Sequence, residues 1–115
     1  MNTNEIIYVE KQIRQKELLL EKNPKNYTAM FDIAQYSSFL GDFKRVIEIC
    51  ETLSNLGAEQ YQVYELGAQA YLNCGYYDKG IHLIQKGLGI FKDKYELLLL
   101  LAYAWLRQRP QDLPW

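Results

Sequence analysis

Few side chains in this sequence are of the types that catalyse reactions or bind metals. The chain has one histidine, His82, and two cysteines, Cys50 and Cys74. A nucleophilic cysteine needs a neighbouring base and a metal site needs several clustered ligands, and the spacing of these three residues supplies neither. Cys50 lies among apolar residues and is predicted to be a small core side chain. We therefore predict a protein that is not an enzyme and that uses no metal and no cofactor.

Composition and charge indicate one globular domain. The 115 residues are 49% hydrophobic and 23% charged, and 13 basic against 14 acidic side chains leave a net charge of −1. That balance is typical of a folded chain rather than a disordered one. Because the basic residues form no stripe or cluster, nucleic acid is not expected as a partner.

The sequence shows no segment that would direct the chain to or through a membrane. Its first residues lack the cationic and apolar regions of a secretory signal. The longest apolar run, Leu97 to Leu106, is ten residues, which is too short to span a bilayer. Two widely spaced cysteines are typical of a reducing compartment. We expect a cytoplasmic protein that does not insert into membranes.

Six segments have the apolar spacing of amphipathic helices, and none has the composition of a strand. Pro24, Gly41, Gly57 and Gly75 fall between them, where helices should stop. The predicted helices run over about residues 4–22, 27–40, 43–56, 60–74, 78–91 and 93–107, with Asn26, Asp42 and Asp93 as N-caps. The fold class is therefore predicted to be all-α.

Three glycines lie inside predicted helices rather than between them. They are Gly67, Gly80 and Gly87, and each costs about 1 kcal/mol relative to alanine in a helix. Helices tolerate that cost where two backbones approach closely. We therefore predict that the stretch from Tyr64 to Gly87 forms a tightly packed helical hairpin.

The turn glycines Gly41 and Gly75 are 34 residues apart, and other positions repeat at the same period. The matching sets are Met30, Tyr64 and Leu98; Ala34, Ala68 and Ala102; and Ser37, Tyr71 and Trp105. A period of this length normally indicates a helical repeat array. A six-helix bundle with accidental periodicity is the alternative.

The pattern resembles the tetratricopeptide repeat. The resemblance covers Asn23 to about Gln108, and it is carried by Ala34, Gly41, Phe43, Ala68, Tyr71, Gly75, Tyr77 and Gly80. The sequence departs from the family pattern where Met30 and Tyr64 replace tryptophan and Gly67 replaces leucine. The resemblance implies a right-handed α-α superhelix: an N-terminal helix (4–22), repeats at 27–60 and 61–94, a half repeat at 95–108 and a tail at 109–115.

The resemblance also implies where a partner binds, because the first helix of each pair lines a concave groove in that family. The implied groove residues are Phe31, Gln35, Phe39, Leu66, Gln69, Leu72, Leu99, Leu100, Tyr103 and Leu106. A groove of this composition suits an amphipathic helix or an extended apolar peptide. The positions at which some members clamp a terminal carboxylate hold Phe31, Gln35, Leu66, Glu96 and Leu100 here, so a carboxylate clamp is not expected.

The sixth helix is apolar all round, which is typical of a helix buried on every side. The chain has only seven residues after it. Leu113 and Trp115 of this tail could fold back over the helix, or a partner or a second copy could cover it.

These features lead us to expect a protein-binding module. A small array with an apolar groove resembles the tetratricopeptide chaperones of the type III secretion needle subunit, which hold an amphipathic client helix with help from a small co-chaperone. A general scaffold or adaptor in a larger assembly is the alternative.

Overall fold

The computed structural model describes residues 1–108, and over this range the chain is helical and without strands. Six helices follow one another: α1 (Thr3–Lys22), α2 (Tyr27–Phe39), α3 (Phe43–Asn55), α4 (Tyr61–Asn73), α5 (Tyr77–Ile90) and α6 (Tyr95–Gln108). The predicted all-α class is confirmed. The tail at 109–115, with Leu113 and Trp115, lies outside the described residues.

Most helix ends are set by the residues that the sequence pointed to. The side chains of Asn26 and Asp42 accept hydrogen bonds from the backbone N–H groups of Ala29 and Arg45, as N-caps do. Gly41, Gly57 and Gly75 have φ of 76°, 77° and 81°, a left-handed conformation that other residues adopt only at a cost. Short linkers of this kind make consecutive helices antiparallel neighbours.

The predicted cap of the last helix is wrong. Asp93 lies in the turn before α6, and the carbonyl of Lys94 accepts the N–H groups of Leu97 and Leu98. The helix therefore begins at Tyr95, two residues later than expected. The chain uses those two residues to complete a turn after Phe91, whose carbonyl accepts the N–H of Lys94.

The helices form two layers. Each helix packs on the next one along the chain, and α4 also touches α2 and α6, whereas α1, α3 and α5 make no backbone contact with one another. The helices α2, α4 and α6 therefore form one layer, which we call the inner layer. The helices α1, α3 and α5 form the other, which we call the outer layer. The fold is elongated, with extents of 52 × 34 × 19 Å.

The outer helices are linked by polar side chains instead of backbone packing. A guanidinium nitrogen of Arg45 on α3 lies 2.9 Å from a carboxylate oxygen of Glu17 on α1. On the next pair, the ammonium group of Lys86 on α5 donates to Ser54 Oγ at 2.7 Å and to Asn55 Oδ1 at 3.1 Å. Long side chains span the wider outer spacing, which keeps the stack open on that side.

The core confirms the predicted close crossings. A Cβ on Gly67 would lie 2.7 Å from Cys50 Cβ and 2.8 Å from Leu83 Cδ2, and one on Gly87 would lie 2.8 Å from Tyr64 Cβ. No larger residue fits there without moving α3, α4 or α5 apart. Tyr64 is fully buried beside these crossings, and its hydroxyl donates to the carbonyl of Ala58 at 3.0 Å.

None of the helices at 1–108 combines the length and apolar character needed to cross a bilayer.

Candidate partner-binding surface

The inner surface is formed by the side chains of α2, α4 and α6 that face away from the outer layer. α4 has helices on both sides, so only one stripe of it is free, and that stripe is mostly polar. Its members are Gln62, Glu65, Leu66, Gln69 and Asn73. The flanking helices contribute the apolar part: Phe31 and Phe39 from α2, and Leu99 and Tyr103 from α6. The inner surface therefore has two apolar walls and a polar floor.

Three of the predicted groove residues lie together between α2 and α4. Gln35, Phe39 and Leu66, with Ser38, line a depression of about 240 Å³. Phe39 is 68% exposed, whereas Leu66 is half-buried. Phe31 is also half-buried, because it packs against the main core. An exposed phenylalanine beside an amide offers both apolar contact and hydrogen bonding.

One predicted groove residue lies in the core instead. Leu72 is only 8% exposed, and its Cγ lies 3.3 Å from the position that a Cβ on Gly80 would take. Because Gly80 carries no side chain, Leu72 fills the space at the α4–α5 crossing. The predicted groove face of α4 is therefore wrong at Leu72 by one residue position, and Leu72 is not available to a partner.

The predicted groove residues of α6 differ in their exposure. Leu99, Tyr103 and Leu106 are about half exposed, at 52%, 51% and 57%. Leu100 is partly buried against the core, because it faces α4. Gln69, in the middle of the floor, is exposed. Thus nine of the ten predicted residues have surface that a partner can reach.

The floor of the inner surface carries two neighbouring acids. Burial and then the charge of Glu96 on α6 raise the pKa of Glu65 on α4. Two neighbouring acids repel an anionic group and favour a cation or a hydrogen-bond donor. The electrostatics of the floor therefore agree with the absence of clamp residues: a terminal carboxylate would be repelled here.

The structure also exposes three residues of α6 that lie at repeating positions of the sequence. Leu98 and Trp105 are 46% and 54% exposed, and Ala102 between them is exposed as well. Their counterparts Tyr64 and Ala68 on α4 are fully buried, because α5 covers them. Within the described residues no helix follows α6, so the same positions remain open.

A second apolar depression was missed from the sequence. It measures about 440 Å³ and lies between the start of α1 and the end of α2. Its lining residues are Met1, Asn2, Asn4, Glu5, Tyr8, Val9, Tyr36 and Phe39. Phe39 borders both this depression and the inner surface, so the two are continuous at Phe39. One feature of the sequence could have indicated this depression: the aromatic residue Tyr8 lies outside the apolar stripe of α1.

The residues first considered for chemistry are dispersed. Cys50 is buried as predicted, and desolvation, with the charge of Glu51, raises the pKa of its thiol to about 12. Cys74 is exposed at the C-terminal end of α4. At neutral pH the Cys50 thiol is therefore protonated and enclosed, which makes it a poor nucleophile.

His82 is exposed, in a shallow depression of about 350 Å³ that it shares with Glu51, Tyr71, Asp78 and Lys79. Burial, the charge of Glu51 and a hydrogen bond to Glu51 together raise the pKa of Tyr71. The Glu51 carboxylate is thereby occupied by the tyrosine. In the part of the chain from 1 to 108, no three His, Cys, Asp or Glu side chains are grouped so that they could hold a metal ion.

No protein-family model matches this chain. No curated protein matches it significantly either.

Proposed function

We propose that this protein is a tetratricopeptide-like binding module whose inner surface holds an amphipathic helix of a client protein. The main support is that α2, α4 and α6 lie side by side, and that nine of the ten implied groove residues on them are exposed or half-buried. Helices bind in such grooves by placing apolar residues spaced three and four apart into the walls. The role that fits such a surface is that of a small cytoplasmic chaperone of the type III secretion kind.

The composition of the surface restricts the client. Phe39 on one wall and Tyr103 on the other are strongly exposed and would each contact an apolar side chain of the client. Between them, Gln35, Gln69 and Glu65 offer amides and a carboxylate. A client helix that presents lysine, asparagine or glutamine to the floor fits better than an acidic one, because the floor is already negatively charged.

A scaffold role is the second candidate, and the depression between α1 and α2 favours it. That depression is apolar and opens beside the inner surface, with Phe39 in common. A chain with two joined binding surfaces is suited to contacting two proteins at once, including a small co-chaperone at one of them. The chaperone and scaffold roles differ in the solubility expected of the client when it is expressed without this chain.

The test begins with co-purification from the native host and identification of the captured protein by mass spectrometry. The client is then expressed with and without this chain. A chaperone is expected to keep an otherwise insoluble client in solution at a one-to-one ratio, whereas a scaffold partner is soluble by itself.

Matched variants test the surface. Phe39→Glu and Tyr103→Glu are expected to lower client affinity at least tenfold, because a charge is placed in each apolar wall. Ile90→Glu is the control, since Ile90 is 50% exposed on the outer helix α5. All three should keep the helical circular dichroism of the parent. Equal binding by Phe39→Glu, Tyr103→Glu and the control would exclude the inner surface as the client site.

A further inference from the structure

α6 exposes a continuous apolar stripe that neither the core nor the polar floor uses. Its members are Tyr95, Leu98, Leu99, Ala102, Trp105 and Leu106. They follow the spacing i, i+3, i+4, i+7, i+10 and i+11, which places them on one side of a helix. No charged residue interrupts the α6 stripe.

The size of the α6 stripe is at the upper end of what a monomer normally exposes. Its five large side chains are between 46% and 66% exposed. Together they present on the order of 600 Å² of surface, at the top of the range for the largest apolar patch of a typical monomer. Two such stripes placed face to face would bury about 1,200 Å², which is the lower limit of a specific interface.

The α6 stripe is complementary to itself when two copies run antiparallel. With Ala102 near the centre, Leu98 of one copy lies level with Trp105 of the other. The small side chain of Ala102 lets the two helices approach closely at the axis, as small residues did at the α4–α5 crossing.

The charges of α6 agree with the same register. The helix has only two charged side chains, Glu96 in its first turn and Arg107 in its last. The antiparallel register that brings Leu98 level with Trp105 also brings Glu96 level with Arg107 of the other copy. Both residues lie beyond the same edge of the α6 stripe, on the Leu99 side. A parallel pair would instead place like charges beside each other at both ends.

We propose that α6 is a self-association helix, through which two copies of this chain pair antiparallel about Ala102. The small interface makes the dimer weak and reversible, with a Kd in the micromolar range. Leu99 and Leu106 belong both to the α6 stripe and to the inner surface, so the dimer covers one wall of the client site. If the proposed function holds, dimer formation and client binding exclude each other, and the free protein protects its own apolar wall.

The first test is sedimentation velocity of the full-length protein, without client, from about 1 to 200 μM. A shift from monomer to dimer over this range is expected, and Trp105→Glu should raise Kd at least tenfold. Ile7→Glu is the control, because Ile7 is 58% exposed on α1 and should leave Kd unchanged. A wild-type chain that remains monomeric throughout would overturn the proposal, and would leave the C-terminal residues 109–115 or another protein as the occupant.

The second test fixes the register. Glu96→Arg and Arg107→Glu should each raise Kd about threefold to tenfold, since each homodimer then contains two like-charged pairs. An equimolar mixture of these variants should dimerise as tightly as wild type, because both pairs are again opposite in charge. A mixture that associates no better than either variant alone would exclude the antiparallel pairing. Neither experiment contains the client, so its outcome is independent of the client-binding proposal.

Discussion

The fourth and sixth helices occupy corresponding positions 34 residues apart, but their surroundings differ. Tyr64 and Ala68 of α4 occupy the repeat positions of Leu98 and Ala102 of α6. The α4 residues are fully buried, while Leu98 is 46% exposed and Ala102 is exposed as well. α4 has α3 and α5 on its two sides, whereas α6 has only α5 behind it.

The difference shows that an apolar residue is internal only if a neighbour arrives to cover it. Each hairpin of the stack covers the exposed side of the hairpin before it. The last helix in the described range is covered by a neighbouring helix on one side alone. The surface that remains open is therefore largest at the end of the stack, which is where we infer self-association.

The largest expected effect comes from truncating the same repeat position in each helix. Tyr64→Ala should destabilise the protein by about 3–5 kcal/mol, because a fully buried aromatic side chain leaves a cavity. Leu98→Ala should change the free energy of unfolding by no more than about 0.5 kcal/mol, since Leu98 is half exposed. Urea unfolding at a few micromolar protein measures both. Similar losses for the two variants would mean that α6 is covered as fully as α4.

A smaller effect separates the glycines at helix crossings from those that only lie in helices. Gly67→Ala should cost about 1–2 kcal/mol, since overpacking against Cys50 and Leu83 outweighs the gain in helix propensity. Gly89→Ala meets nothing within 4 Å and should gain about 0.5–1 kcal/mol. Thermal unfolding of the two variants and the parent provides the comparison. A stabilising Gly67→Ala would contradict the close packing of α4 on its neighbours.

Glu65 on α4, beside Glu96 on α6, should make the free energy of unfolding depend on pH. Burial and the Glu96 charge raise the pKa of Glu65 in the folded state, so the folded protein binds this proton more tightly than the unfolded chain. The stabilisation from that proton is full below the unfolded pKa and is lost as the pH rises through the folded pKa. Glu65→Gln removes the charge at every pH.

Relative to wild type, Glu65→Gln should therefore be more stable at pH 7 by roughly 0.2–1 kcal/mol, with the difference disappearing near pH 4. Urea unfolding at the two pH values measures it, and Glu59→Gln on the exposed turn before α4 is the control. An equal difference at both pH values would show that the pKa of Glu65 is not raised in the folded protein.

The smallest effect concerns the two thiols. Cys74 is exposed, whereas Cys50 is buried against Gly67 and has a pKa of about 12. At pH 8 an aromatic disulfide reagent should therefore titrate one thiol quickly in the native protein, and Cys74→Ser should abolish that phase. The second thiol should react only in denaturant. Two fast thiols in the native state would mean that α3 and α4 separate readily.

Most of the fold was predictable from the sequence because its signals are local. Asn26 and Asp42 cap their helices through their own side chains, and Gly41, Gly57 and Gly75 adopt the conformation that glycine allows at least cost. The boundary that failed, at Asp93, depends on how the chain turns after Phe91, and the residue types at the cap do not report that turn.

The candidate surface was predictable only in part. Helical spacing identifies a face to within about one residue, which was enough for Phe39 and Gln35 but not for Leu72. Leu72 is internal because Gly80, on another helix, leaves room for it. The depression between α1 and α2 joins Tyr8 to Tyr36, and no local pattern links residues so far apart.

By itself the sequence determined the number of helices, their approximate ends and the crossings that require glycine. These follow from backbone preferences and from spacing along a single helix. Only the tertiary structure decided which apolar faces are covered. Burial depends on the helix that packs alongside, so Tyr64 became core while Leu98, at the same position of the repeat, remained at the surface.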